Sequence, residues 1–113
     1  MATAGFAKMM SLEVFSVRDP DGADEIQISR TGGAIFEQIR MSRGEVFTFD
    51  DDRLLPFVDQ APIEVVFFEI DQGGSNTRRI GTATISAAEV GLGERQQQIR
   101  GAGSEYQLTY KVI

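Results

Sequence analysis

The sequence predicts an all-β protein, an antiparallel sandwich of about eight strands. Short apolar or alternating runs recur along the whole chain, and Gly, Pro, Asp and Asn separate them. No apolar pattern of helical period extends beyond a turn or two. A closed barrel would satisfy the same spacing, so the pattern leaves a sandwich and a barrel open as architectures.

The residue patterns of the strands predict different places within a sheet. Residues 106–112 alternate strictly, with Tyr106, Leu108 and Tyr110 on one face, which predicts a half-buried strand. Residues 63–70 are apolar on both faces and predict a central strand, whereas 95–100 are polar on both faces and predict an edge strand. The predicted strands are 9–17, 25–29, 34–39, 45–49, 63–70, 79–85, 95–100 and 106–112.

The chain shows no repeat and no internal domain boundary. We expect one sandwich domain over residues 9–113, preceded by a flexible segment, residues 1–8, that is loosely held. Ser86 and Glu89 have the spacing of a capping box and predict a single helical turn between two strands.

Composition excludes several kinds of function. The net charge of −6 disfavours binding to nucleic acid. The chain contains no cysteine and no histidine, and therefore lacks thiolate nucleophiles, zinc–sulfur sites and the commonest general base near neutral pH. We therefore expect a binding protein rather than an enzyme, and any metal site must be built from oxygen ligands.

The beginning of the sequence does not resemble a secretory signal, because it has neither a long apolar run nor a cluster of positive charge. No stretch approaches the roughly 18 apolar residues that span a bilayer. The expected location is the cytoplasm, and export without a leader would leave no sequence signal.

Acidic residues are concentrated in the connections between strands. Asp19, Asp21 and Asp24 follow the first predicted strand, while Glu69 and Asp71 end the central one. A second acidic run, residues 50–52, follows the fourth strand. Two interpretations are open: these residues form turns, for which Asp and Asn are suited, or loops gathered at one end supply oxygen ligands to calcium.

Two of these connections resemble the calcium loops of C-two (C2) domains, the calcium- and phospholipid-binding β-sandwiches. The resemblance to the third calcium loop lies in three successive features. An apolar run ends in Glu69 and Asp71, a Gly/Ser/Asn loop follows, and Ile80 and Gly81 then precede a short strand. Residues 18–22, with two aspartates after the first strand, resemble the first calcium loop.

The resemblance implies a C2-like sandwich whose loops bind calcium and, through it, a membrane surface or a protein partner. The implied metal ligands are Asp19, Asp21, Glu69, Asp71 and Asn76. The alternative function is a structural or adaptor subunit that docks into a larger assembly, or associates with itself, independently of calcium.

The sequence departs from the family pattern at the third loop. Glu69 replaces the first aspartate of the pair, and Asn76 or Thr77 occupies the later acidic position. Arg78 and Arg79 add positive charge there. In the alternative to calcium binding, either arginine would neutralise the acidic residues and give a site that needs no calcium.

Overall fold

Nine β-strands and a single 3-10 turn make up the secondary structure in a computed structural model that describes residues 3–17, 23–70, 77–101 and 103–113. In chain order the strands are β1 (Phe6–Ser16), β2 (Ala23–Arg30), β3 (Ile35–Ser42), β4 (Val46–Thr48), β5 (Leu54–Pro56), β6 (Ile63–Ile70), β7 (Thr77–Ile85), β8 (Glu94–Gly101) and β9 (Ser104–Val112).

The strands form two antiparallel sheets that enclose one core. The first sheet has the order β4-β1-β9-β8, with β5 also paired to β1, and the second has the order β3-β2-β6-β7. The sandwich prediction is therefore confirmed. β6 lies between two strands and β8 ends its sheet, as their sequence patterns predict.

The alternation of β9 matches its burial residue by residue. Tyr106, Leu108 and Tyr110 are at most 1% exposed and face the core, while Gln107 and Thr109 face outward. Leu12 and Val14 of β1 lie opposite Leu108 and Tyr106. The second sheet adds the other side of the core. It contributes Ile26, Ile28, Val65, Phe67, Ile80 and Ile85.

The strand count exceeds the expected eight because one edge position is interrupted. β4 and β5 pair with successive parts of β1, at Ser11 opposite Thr48 and Lys8 opposite Leu54. The turn at 50–53 separates them. The acidic run 50–52 was expected to belong to a connection, whereas it forms the turn inside a broken edge strand. Short edge strands resist pairing with other chains.

The sandwich begins earlier in the chain than expected. β1 starts at Phe6 rather than at Met9, and Ala7 is completely buried. The Ala4 N–H donates to Oε1 of Gln60 at 2.9 Å, and Nε2 of Gln60 donates to the Ala4 carbonyl at 2.7 Å. The structure therefore includes residues 4–8 in the sandwich, within the segment that the sequence assigned to a flexible N-terminal part.

The capping box is present as predicted. The Ser86 N–H donates to Oε2 of Glu89 at 2.7 Å, and the Ala88 N–H donates to Oγ of Ser86 at 3.2 Å. The turn that it starts, Ala87–Glu89, is a 3-10 helix. None of the described helical residues forms a segment long and apolar enough to cross a membrane.

The strand register determines which connections lie together. Glu25 near the start of β2 pairs with Ile70 at the end of β6, and Ser16 at the end of β1 pairs with Glu105 near the start of β9. We call this end of the sandwich the loop end. The opposite end, where Ile63 pairs with Ile85, is the far end.

Candidate functional site

The predicted metal ligands come from connections whose bases adjoin at the loop end. The connection after β1 precedes β2, and the connection after β6 leaves from beside β2, because Glu25 and Ile70 are paired. Sequence alternation alone cannot establish this arrangement. Of the five predicted ligands, Glu69 lies within the described residues. The other four lie outside them: Asp19, Asp21, Asp71 and Asn76.

Glu69 is a buried carboxylate at the base of the second connection. It follows Val65 and Phe67 on the inner face of β6 and is 2% exposed. Its cross-strand neighbours are Ile26 of β2 and Arg78 of β7. A buried charge is costly unless an opposite charge or hydrogen bonds compensate it, so the positive charge of Arg78, the residue paired with Glu69 on β7, is electrostatically favourable there.

Asp24 is the second buried carboxylate at the loop end, and the sequence did not single it out as a site residue. It is fully buried, and its Oδ2 accepts a hydrogen bond from Oγ of Ser104 at 2.6 Å and another from the hydroxyl of Tyr106. The alternation of β2 contains the signal, because Asp24 shares the inward face with Ile26 and Ile28.

Tyr106 joins the two sheets at this end of the core. Burial raises the pKa of its hydroxyl far above the ordinary value, and the hydrogen bond to Asp24 acts in the same direction. The negative charges of Asp24 and Glu69 add to this effect on the pKa, whereas the hydrogen bond with Ser104 opposes it. The phenol therefore stays protonated and acts as a donor to Asp24.

The two arginines of the third loop motif have different surroundings. Arg78 lies opposite Glu69, while Arg79 lies opposite the half-buried Phe68 on the outer face. The Arg79 guanidinium donates to the hydroxyl of Thr82. Arg78 is therefore the arginine placed to offset the charge of Glu69.

The described residues do not form a complete metal site by themselves. No group of three or more acidic side chains among them is arranged to hold a metal ion. The Asp24 carboxylate also has hydroxyl donors already.

Comparisons with known proteins show the fold. No family model matches the sequence, and no curated protein matches it. Among solved structures, the chain is similar to the C2A domain of a plant extended synaptotagmin 1, with a TM-score of 0.50 and 14% sequence identity. The match covers 100% of this chain and 98% of that domain, so the likeness extends over the whole sandwich. The fold is distantly C2-like.

Proposed function

We propose that this C2-like sandwich is a non-enzymatic binding module whose loop end holds calcium and, through it, contacts a membrane surface or a protein partner. The observation that supports the proposal most directly is the pairing of Glu25 with Ile70. This pairing brings the bases of the two acidic connections together. Buried Asp24 and Glu69 lie at the same end and add negative charge there.

The proposed ligand set is chemically suited to calcium. The proposed ligands offer only carboxylate and amide oxygens, which calcium takes as ligands in proteins. They are Asp19, Asp21, Glu69, Asp71 and Asn76. Calcium would relieve the repulsion among these carboxylates and present a positive charge to oxygen ligands of a partner. Glu69 would serve from the base of the site, because it is buried on the inner face.

Calorimetry tests the calcium proposal. The wild-type protein is expected to bind calcium with a dissociation constant between about 1 µM and 1 mM, in the range of sensors and extracellular modules. Asp71→Asn, which removes one charged ligand, is expected to abolish the binding heat. Asp51→Asn is the matched control, because Asp51 is exposed in the turn between β4 and β5, outside the loop end.

Thermal melting gives an independent measurement of the same site, since a ligand that binds only the folded state raises the melting temperature. The wild type and Asp51→Asn should melt higher in calcium than in chelator, and Asp71→Asn should not. The absence of both binding heat and a melting shift for the wild type at about 10 mM calcium would reject the cation site.

A second candidate function is supported by Arg78, which lies opposite Glu69 and supplies a permanent positive charge. In this alternative the protein is a calcium-independent adaptor that docks through exposed apolar surface. Most of the large exposed apolar side chains among the described residues lie at the far end rather than at the loop end. Those at the far end are Phe6, Ile35, Val58, Leu92 and Ile113.

A further inference from the structure

Three buried polar side chains link the two sheets at the loop end of the sandwich. Asp24 belongs to the second sheet, while Ser104 and Tyr106 belong to β9 of the first. The Ser104 hydroxyl donates to Oδ2 of Asp24 at 2.6 Å, and the Tyr106 hydroxyl donates to the same oxygen. All three residues are at most 4% exposed. We call them the root cluster.

Two members of the root cluster lie at the bases of connections, and Glu69 lies at the base of a third. Asp24 is the second residue of β2, the strand that follows the connection 17–22. Ser104 is the first residue of β9 and follows the turn from β8. Glu69 precedes the connection 71–76, and its charge acts on the Tyr106 hydroxyl. A change at Tyr106 therefore acts directly on Asp24 through their hydrogen bond, and on Glu69 through charge alone.

Hydrogen bonds of this kind are strong enough to hold strand ends in place. A carboxylate that accepts from hydroxyl groups in a dry interior forms bonds that are both shorter and stronger than neutral pairs. Removing one donor would leave a buried charge less well compensated, which costs more than the loss of an exposed bond. The strand ends that carry Asp24 and Ser104 should then open locally more often.

We infer that the root cluster positions the bases of the loops, and that Tyr106 is a positioning residue for the site at the loop end. The inference deepens the proposed function and, for calcium affinity, rests on it. A site whose ligand-bearing segments start from fixed positions loses less conformational freedom on binding, and so binds more tightly.

The chain offers a matched control for Tyr106. Tyr110 lies on the same face of β9, is also buried, and donates its hydroxyl to Oε1 of Glu89 at 2.6 Å at the far end. Each tyrosine thus joins a carboxylate at one end of the core. Tyr106→Phe and Tyr110→Phe remove the same atom from the same strand at opposite ends of the sandwich.

The test combines amide hydrogen exchange without metal and calorimetry with calcium chloride on both variants of the full chain. Tyr106→Phe is expected to accelerate exchange at residues 23–25 and 69–70 by roughly tenfold or more, and to weaken calcium binding by a similar factor. Tyr110→Phe is expected to leave exchange at these residues and calcium affinity unchanged, and to accelerate exchange at residues 87–90 instead.

Unchanged exchange at residues 23–25 in Tyr106→Phe, or equal acceleration there in both variants, would overturn the inference. Ser104→Ala provides a milder second variant if Tyr106→Phe does not fold, and should change exchange in the same direction. If the wild type binds no calcium, the proposed cation site fails. Amide hydrogen exchange without metal still decides whether the root cluster positions the bases of the loops.

Discussion

At the scale of single residues, Gly101 marks a close approach between the two sheets. A Cβ atom at this position would lie 2.0 Å from the carbonyl oxygen of Ile80 and 2.9 Å from its carbonyl carbon. Both atoms belong to the backbone of β7 and cannot rotate away. Glycine is required here because the end of β8 crosses β7 without room for a side chain.

Gly101→Ala should therefore destabilise the protein by about 1–3 kcal/mol, since one of two packed strands must move. Urea unfolding measures the loss. Gly5→Ala is the control, because its Cβ would meet only the Ile113 carbonyl oxygen at 3.5 Å, an ordinary contact, and its stability should stay close to wild type. Equal midpoints for the wild type and Gly101→Ala would contradict the close approach.

At the scale of elements, both lateral edges of the sandwich are closed by specific contacts. On one side β8 lies against β7, where Nε2 of Gln97 donates to the Thr84 carbonyl at 2.7 Å. Gln97 of the polar strand β8 thus contacts β7. On the other side Arg53, between β4 and β5, forms an ion pair with Glu37 of β3 at 3.6 Å, and its guanidinium lies 5.5 Å from the Phe36 ring centroid.

Arg53→Ala removes a half-buried ion pair and a cation–π contact together, so we expect it to lower the free energy of unfolding by about 1–2 kcal/mol. Arg100→Ala is the control. Arg100 forms an exposed ion pair with Glu105 at 3.3 Å, and its removal should cost no more than about 0.5 kcal/mol. Chemical denaturation of both variants measures the difference, and equal losses would show that Arg53 does not join the sheets.

At the scale of the whole molecule, the two ends have different surfaces. The principal-axis extents are 48 × 26 × 22 Å, so the molecule is elongated. The loop end carries the acidic connections and the root cluster, and the far end carries exposed apolar side chains. Val58 is 61% exposed and Leu92 is 58% exposed. Exposed apolar residues concentrated in one region are typical of contact surfaces.

If the protein is an adaptor that associates with itself, its sedimentation coefficient should rise with concentration, and replacing both Val58 and Leu92 with Ser should abolish the rise. The matched control is the double variant Phe15→Ser and Val46→Ser, which alters exposed apolar residues near the loop end. Calcium and chelator should give the same result. A wild type that remains monomeric at every concentration would contradict self-association through the far end.

The fold was predictable from local patterns to a large extent. The alternation of Tyr106, Leu108 and Tyr110 determines the inward face of β9, because side chains along a strand alternate between faces whatever the strand pairs with. The capping box at Ser86 is likewise local, since its two hydrogen bonds join residues three apart or closer. The interruption between β4 and β5 was not predictable, because only their shared pairing with β1 makes them one edge.

The sequence by itself determined the strand pattern, the absence of histidine and cysteine chemistry, and the oxygen character of any metal ligands. Only the tertiary structure decided that the acidic connections start from one end, that Glu69 is paired with Arg78, and that Asp24 is buried at that end. The physical reason is the separation along the sequence of the residues that interact. Strand periodicity depends on neighbouring residues. The bond between Asp24 and Tyr106, in contrast, joins positions 82 residues apart, and only the pairing and packing of whole sheets brings them together.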